Sequence, residues 1–242
     1  FYLKTDVILS MPHTAKTAIV TGIGRASAVA LSKAGWNVVL TARRLEALEE
    51  TASLCETTLV LAGDITDEEF VKKLFQETVE RFGRLDLLFN NAGISSPGVP
   101  MEQVSLDAFQ NVMSVNVVGP FLCACEAVRV FKNQTPMGGR IINNGSLSAH
   151  TPRPMSSPYT MSKHAISGLS KCIALDGRAF DITCTQIDIG NANTEMVTRI
   201  SNGVLQPDGR VVAEIYLAGL PSDVSVPHFT IMASKAPFAG RG

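Results

Sequence analysis

Tyr159 and Lys163 stand four positions apart in the segment Tyr159-Thr160-Met161-Ser162-Lys163. On a helix that spacing puts both side chains on one face, a single turn apart. An ammonium beside a phenol lowers the phenol's pKa from its ordinary value of about 10. The phenol can then exchange a proton near neutral pH. Such a pair alone is common on solvated helices, where it does no chemistry, so its surroundings decide. Ser146 lies thirteen residues before Tyr159, just past an apolar run, in Asn143-Asn144-Gly145-Ser146. It could serve the same site or be an ordinary turn residue. Asn116 falls inside a long helical stretch, where asparagine is a poor helix former.

A second place can do chemistry of a different kind. Thr21-Gly22-Ile23-Gly24-Arg25-Ala26 joins a β-branched run to a helical one. Glycines there let a backbone approach a pyrophosphate, and the helix N-terminus supplies amide donors. A plain strand-to-helix turn explains the same residues equally well.

The elements that must position these groups follow from periodicity. Strands are expected over Thr17–Thr21, Asn37–Thr41, Thr58–Leu61, Leu85–Asn90, Arg140–Asn144, Ile182–Ile189 and His228–Met232. Helices are expected over Arg25–Ala34, Leu45–Leu54, Asp67–Phe82, Leu106–Val130 and Tyr159–Ala179. Near-continuous apolar strands alternating with helices of this length call for a parallel sheet covered on both faces. The expected fold class is therefore α/β, a single-domain, doubly wound, Rossmann-type sheet with its ligand site beyond the carboxyl ends of the strands. Residues 1–10 read as an extension ahead of a start at Met11, and 11–242 as one catalytic domain. The turn-rich Ser201–Arg210 belongs to a mobile substrate loop around 191–215.

Composition narrows the function. With 242 residues, 45% of them hydrophobic, and a net charge of −1, the chain has no basic excess to hold nucleic acid. No apolar run reads as long enough to span a bilayer, so no membrane partner is expected. Five cysteines without a Cys-x-x-Cys pair and four scattered histidines suggest reduced thiols, a cytoplasmic location and no metal site.

In this order along the chain, Thr21-Gly22…Ile23-Gly24, Asp64, Asn90-Asn91-Ala92-Gly93, Asn116, Ser146, Tyr159-x-x-x-Lys163 and Gly190-x-x-x-Thr194 resemble the short-chain dehydrogenase/reductase family. The resemblance runs from about Thr17 to the C-terminus. It implies that Asn116, Ser146, Tyr159 and Lys163 form the catalytic set, and its serine-to-tyrosine spacing favours Ser146 over Ser148. It implies that Gly22, Ile23, Gly24, Asp64, Asn91, Ala92 and Gly93 line the cofactor. Tyr159, Lys163, Gly190 and Thr194 would meet the nicotinamide end. In relatives the Asn116 carbonyl holds a water that leads to the lysine. Relatives are mostly homotetramers or dimers built from long helices, and Ala124–Phe131 and Ile166–Leu175 offer apolar stripes for that, unless those stripes pack within one chain.

The sequence departs from the family in three places. The glycine turn is four residues short between Gly22 and Ile23: either the natural protein carries residues there that this chain lacks, or the deletion is real and weakens dinucleotide binding. The first reading suits the intact remainder. Ile189 replaces a usual proline, and Val211 to Leu220 is short. Cofactor choice is read after the second strand, at Thr41-Ala42-Arg43-Arg44. A carboxylate there would bond the ribose of NAD, whereas Arg43 can pair with a 2′-phosphate, which favours NADP over NAD. The bland alternative is a charged helix surface. The expected activity is hydride transfer between this cofactor and a small alcohol or ketone. The other reading is a non-catalytic Rossmann protein that senses dinucleotide or scaffolds a partner. A methyltransferase would have no use for the tyrosine–lysine pair.

Overall fold

The computed structural model describes residues 15–22, 24–189 and 228–231, the last by backbone alone. Seven strands make one sheet: β1 (Thr17–Thr21), β2 (Asn37–Ala42), β3 (Thr58–Ala62), β4 (Leu87–Asn90), β5 (Gly139–Asn144), β6 (Ile182–Ile189) and β7 (His228–Ile231). Their order is β3-β2-β1-β4-β5-β6-β7, and every pairing is parallel. Among the described residues lie six α-helices: α1 (Arg25–Lys33), α2 (Leu45–Ala52), α3 (Glu68–Phe82), α4 (Leu106–Met113), α5 (Gly119–Asn133) and α6 (Ser157–Asp176).

Alternation along the strands splits the core in two. Ala18 and Val20 of β1, with Val38 and Leu40 of β2, face one layer together with Leu31 and Leu48 of α1 and α2. Ile19, Val39, Leu88 and Ile141 face the other, against Leu74 and Phe75 of α3 and Ala127 and Phe131 of α5. Burying each such aliphatic or phenyl side chain contributes about 1.5–3 kcal/mol, so the two layers fix the register of the whole sheet. The strand order reverses between β1 and β4, the place where an open α/β sheet leaves a ligand crevice.

Several expected boundaries shift for identifiable reasons. Asp67 is not the first residue of α3 but its cap, accepting from the Glu69 and Phe70 amides at 2.9 and 3.3 Å. Strand β4 begins at Leu87 because Asp86 turns outward to bind the Thr17 amide and Arg84. Helix α6 stops at Asp176 rather than Ala179, and a short 3-10 turn, Arg178–Phe180, follows. The single helix expected over Leu106–Val130 divides into α4, a π-helical turn at Ser114–Val118 and α5.

That compound helix, Leu106–Asn133, is long and apolar enough to cross a membrane by length and composition, contrary to the sequence-based expectation. Its buried residues pack on the sheet instead: Cys123, Ala124, Ala127 and Phe131 all lie within the core beside α3. The Ala124–Phe131 stripe is thus consumed inside the chain, as are Ile166 and Ile173 of α6. The large apolar side chains left exposed on these helices are others, Leu106, Val118, Phe121, Met161 and Leu175. The expected extension over 1–10 and the loop around 191–215 fall outside the described residues.

Candidate active site

Three strand ends meet at the carboxyl edge. Thr21 ends β1, and its hydroxyl accepts from the Asn91 and Ala92 amides at 3.0 and 3.1 Å. The Asn91 side chain donates to the Thr21 carbonyl and accepts from Asn144 of β5. Asn91 therefore ties β1, β4 and β5 together, and Ala92 and Gly93 carry the chain away beneath Asn116. A Cβ on Gly93 would stand 3.3 Å from Asn116 Oδ1.

Asn116 sits in the π-helical turn, almost fully buried. Its Oδ1 accepts from the Ile94 amide at 2.8 Å, and its Nδ2 donates to the Ile94 carbonyl and to Ser162 Oγ. Ser162 in turn donates to the Tyr159 carbonyl. The wide turn is what allows asparagine here: the side chain leaves the helix to satisfy an adjoining loop.

Tyr159 and Lys163 occupy one face of α6, with the Lys163 ammonium 5.5 Å from the phenol ring centroid. The Ser146 hydroxyl lies close enough to the phenol to help pull its pKa down. Lys163 is buried and donates to the Asn144 carbonyl at 2.7 Å. A charge-assisted bond contributes about 1.5–3 kcal/mol, while burying an ammonium costs several. Burial wins, pushing the Lys163 pKa down to about 8, with the Asp188 carboxylate opposing the fall. Burial also pushes the Tyr159 phenol up from its ordinary value; the Ser146 hydroxyl and Arg153 pull it down, and Asp188 adds to the rise. The expected lowering of the phenol by Lys163 is thus not what dominates. The lysine spends its nearest contact on the Asn144 carbonyl.

Ser148 is buried and donates its backbone amide to Ser146 Oγ at 3.1 Å, so it supports Ser146 rather than competing with it. His150 is half exposed beside this turn. Ile23, Gly190 and Thr194 lie outside the described residues.

The dinucleotide's place can be judged from the glycines. Gly22 adopts φ +76, and a Cβ there would come within 3.0 Å of Ala92 Cα. Gly24 caps α1 without a side-chain bond to its first turn, leaving amides at the helix start for a diphosphate. Only three residues, Gly22 to Gly24, separate β1 from α1. A Cβ on Gly24 would stand 2.7 Å from Val20 Cγ1, so the short turn is drawn tightly against the strand. Arg43 is exposed at the end of β2. Asp64 folds back on Thr66, whose amide and hydroxyl both donate to its Oδ1 at 2.9 Å. These residues fit a dinucleotide: the turn after β1 is small enough for a diphosphate to approach, and polar groups stand at the ends of β3, β4 and β5.

Sequence reasoning missed Asp188 and Gln186 of β6. Asp188 is wholly buried, accepts from the Ser146 amide, and meets His150 Nε2 at 2.5 Å. The signal available was an acid inside the apolar run Ile182–Ile189.

A parallel sheet whose crevice has glycines on one side and a serine–phenol–ammonium group on the other defines a dinucleotide-dependent oxidoreductase. The chain belongs to the short-chain dehydrogenase/reductase family: residues 15–204 match the family model for short chain dehydrogenases. It is 32% identical over 205 residues to a 3beta-hydroxysteroid dehydrogenase of Mediterraneibacter gnavus, covering 82% of this chain and 72% of that one. It is 35% identical over 231 residues to a versicolorin reductase of Emericella nidulans, covering 87% and 86%. Among solved structures, the 3-ketoacyl-(acyl-carrier-protein) reductase of Brucella melitensis complexed with NADH superimposes with a TM-score of 0.82 at 26% identity, covering 89% of this chain and 96% of that one. The chain is accordingly a nicotinamide-dependent oxidoreductase of alcohol or ketone substrates.

Proposed function

We propose that the chain is an NADP-preferring carbonyl reductase or alcohol dehydrogenase in which Tyr159 transfers the proton. The observation that carries this reading is the Lys163 ammonium 5.5 Å from the Tyr159 ring and bonded to Asn144, two residues before Ser146. The nicotinamide, when bound, supplies or accepts the hydride. Ser146 bonds the substrate oxygen and orients it. Tyr159 donates a proton to that oxygen during reduction and removes one during oxidation. Lys163 holds the nicotinamide ribose, and Asn116 keeps the Ile94 loop and the start of α6 in register. Arg43 pairs with the 2′-phosphate and so sets the preference for NADP, since no carboxylate follows β2. Exposed Val118, Phe121 and Leu175 suit self-association through α5 and α6.

The test is a screen of ketones and secondary alcohols with NADPH and NADH, read as cofactor absorbance. Turnover with NADPH on at least one cyclic or aromatic ketone, faster than with NADH, is expected; no turnover with either cofactor sinks the reading. The three-residue turn between β1 and α1 favours a second reading, a protein that holds dinucleotide weakly or not at all and acts as a scaffold. A fluorescence titration with NADPH separates the two, because saturable binding belongs to the first.

A further inference from the structure

Among the described residues, Asp188 is the one wholly buried carboxylate, and the reaction described above assigns it nothing. A carboxylate removed from water persists only where donors surround it. Its Oδ1 accepts from the Ser146 amide and from Gln186 Nε2, both at 2.8 Å. Its Oδ2 meets His150 Nε2 at 2.5 Å. Gly145, just before Ser146, is a glycine because this cluster fills the space. A methyl there would overlap Asp188 Oδ1 and come within 2.8 Å of the Gln186 side chain. The turn Asn144-Gly145-Ser146 is thus held twice, by Lys163 at the Asn144 carbonyl and by Asp188 at the Ser146 amide.

We propose that Asp188 is a positioning residue of this active site: it clamps the Ser146 turn and sets a fixed negative charge beside the Ser146–Tyr159 pair, with the His150 ring on its outward oxygen. The proposal rests on the proton-transfer role given above to Tyr159. Among the described residues, the charged groups that face the phenol are Asp188 from β6, Arg153 from the loop ahead of α6, and Lys163 from its own helix, while the His150 ring lies against Asp188. Asp188 pushes the phenol up and Arg153 pulls it down. The carboxylate therefore favours the protonated phenol, the form that reduces a carbonyl.

The experiment is a tyrosinate absorbance titration of the cofactor-free protein. The chain has three tyrosines, so the signal is taken as the difference from Tyr159→Phe. Asp188→Asn keeps the shape and an acceptor for Ser146 but removes the charge, and its Tyr159 midpoint moves to lower pH. In the alcohol-oxidising direction, the rising limb of kcat/KM moves with that midpoint. The kcat of Asp188→Asn falls about tenfold as the serine turn loosens, at unchanged NADPH affinity. A midpoint that stays put or rises in Asp188→Asn overturns the proposal even if activity falls. Should the unaltered protein prove inactive, the assigned reaction fails, while the titration still decides whether Asp188 governs Tyr159.

Discussion

The two halves of the crevice are built on different principles. On the β5–β6–α6 side, side chains interlock: Asn116 bonds Ile94 and Ser162, Lys163 bonds Asn144, and Asp188 bonds Ser146 and Gln186. On the β1–α1 side, the construction is the absence of side chains, at Gly22, Gly24 and Gly93, with Thr21 and Asn91 tying the strand ends. The first half fixes reacting groups by hydrogen bonds that can be removed singly. The second makes room, and room is lost by adding a methyl. Damage to the first should therefore lower kcat, and damage to the second should weaken dinucleotide binding.

Apart from the proton-transfer tyrosine, the largest effect belongs to Lys163→Met, which should reduce turnover about 10²-fold by misplacing the nicotinamide. The same variant carries a stability signature. The folded-state pKa of about 8 lies below the ordinary lysine value of 10.5, so between these limits the unfolded chain binds more protons. Stability from this group consequently rises as pH climbs through that window. Urea unfolding at several pH values should show the rise in the parent chain and lose it in Lys163→Met.

Asn116→Leu should be next. It strips partners from the Ile94 amide and carbonyl, and each buried polar group left unpaired costs about 1–3 kcal/mol. A lowered urea midpoint with a lowered kcat is expected; an unchanged midpoint would show that the wide turn does not depend on this side chain. Across the crevice, Gly22→Ala forces a side chain onto a positive φ and against Ala92 Cα. It should weaken NADPH binding about tenfold, through a strain of roughly 1–2 kcal/mol, while leaving the Tyr159 titration in place. A shifted titration would mean that the two halves are mechanically coupled. The smallest change is Arg43→Leu. It should reduce the ratio of NADPH to NADH affinity by about tenfold, through the loss of one charge-assisted contact of roughly 1.5 kcal/mol. An unchanged ratio would remove Arg43 from cofactor choice.

Local pattern made much of the fold legible. The β-branched runs at Thr17–Thr21 and Ile182–Ile189 coincide with β1 and β6, because both faces of those strands are buried and no turn residue interrupts them. The break at Ser114–Val118 was legible only through Asn116, a poor helix former, and Gly119-Pro120 just after it; nothing local gave its π-helical form. The pairing of Tyr159 with Lys163 could be read from helical spacing, but the phenol's pKa could not. Its direction depends on burial and on Asp188, a residue far away in sequence. The Asp188–Ser146 bond spans 42 positions and the His150 contact 38. No periodicity encodes contacts of that range.

Tyr159→Phe tests the central claim most directly, measured as ketone reduction alongside a fluorescence titration with NADPH. Removing the one hydroxyl should abolish turnover while NADPH binding stays within about twofold, because the phenol oxygen serves the proton and not the dinucleotide. Turnover that survives in this variant, with binding intact, would contradict the account.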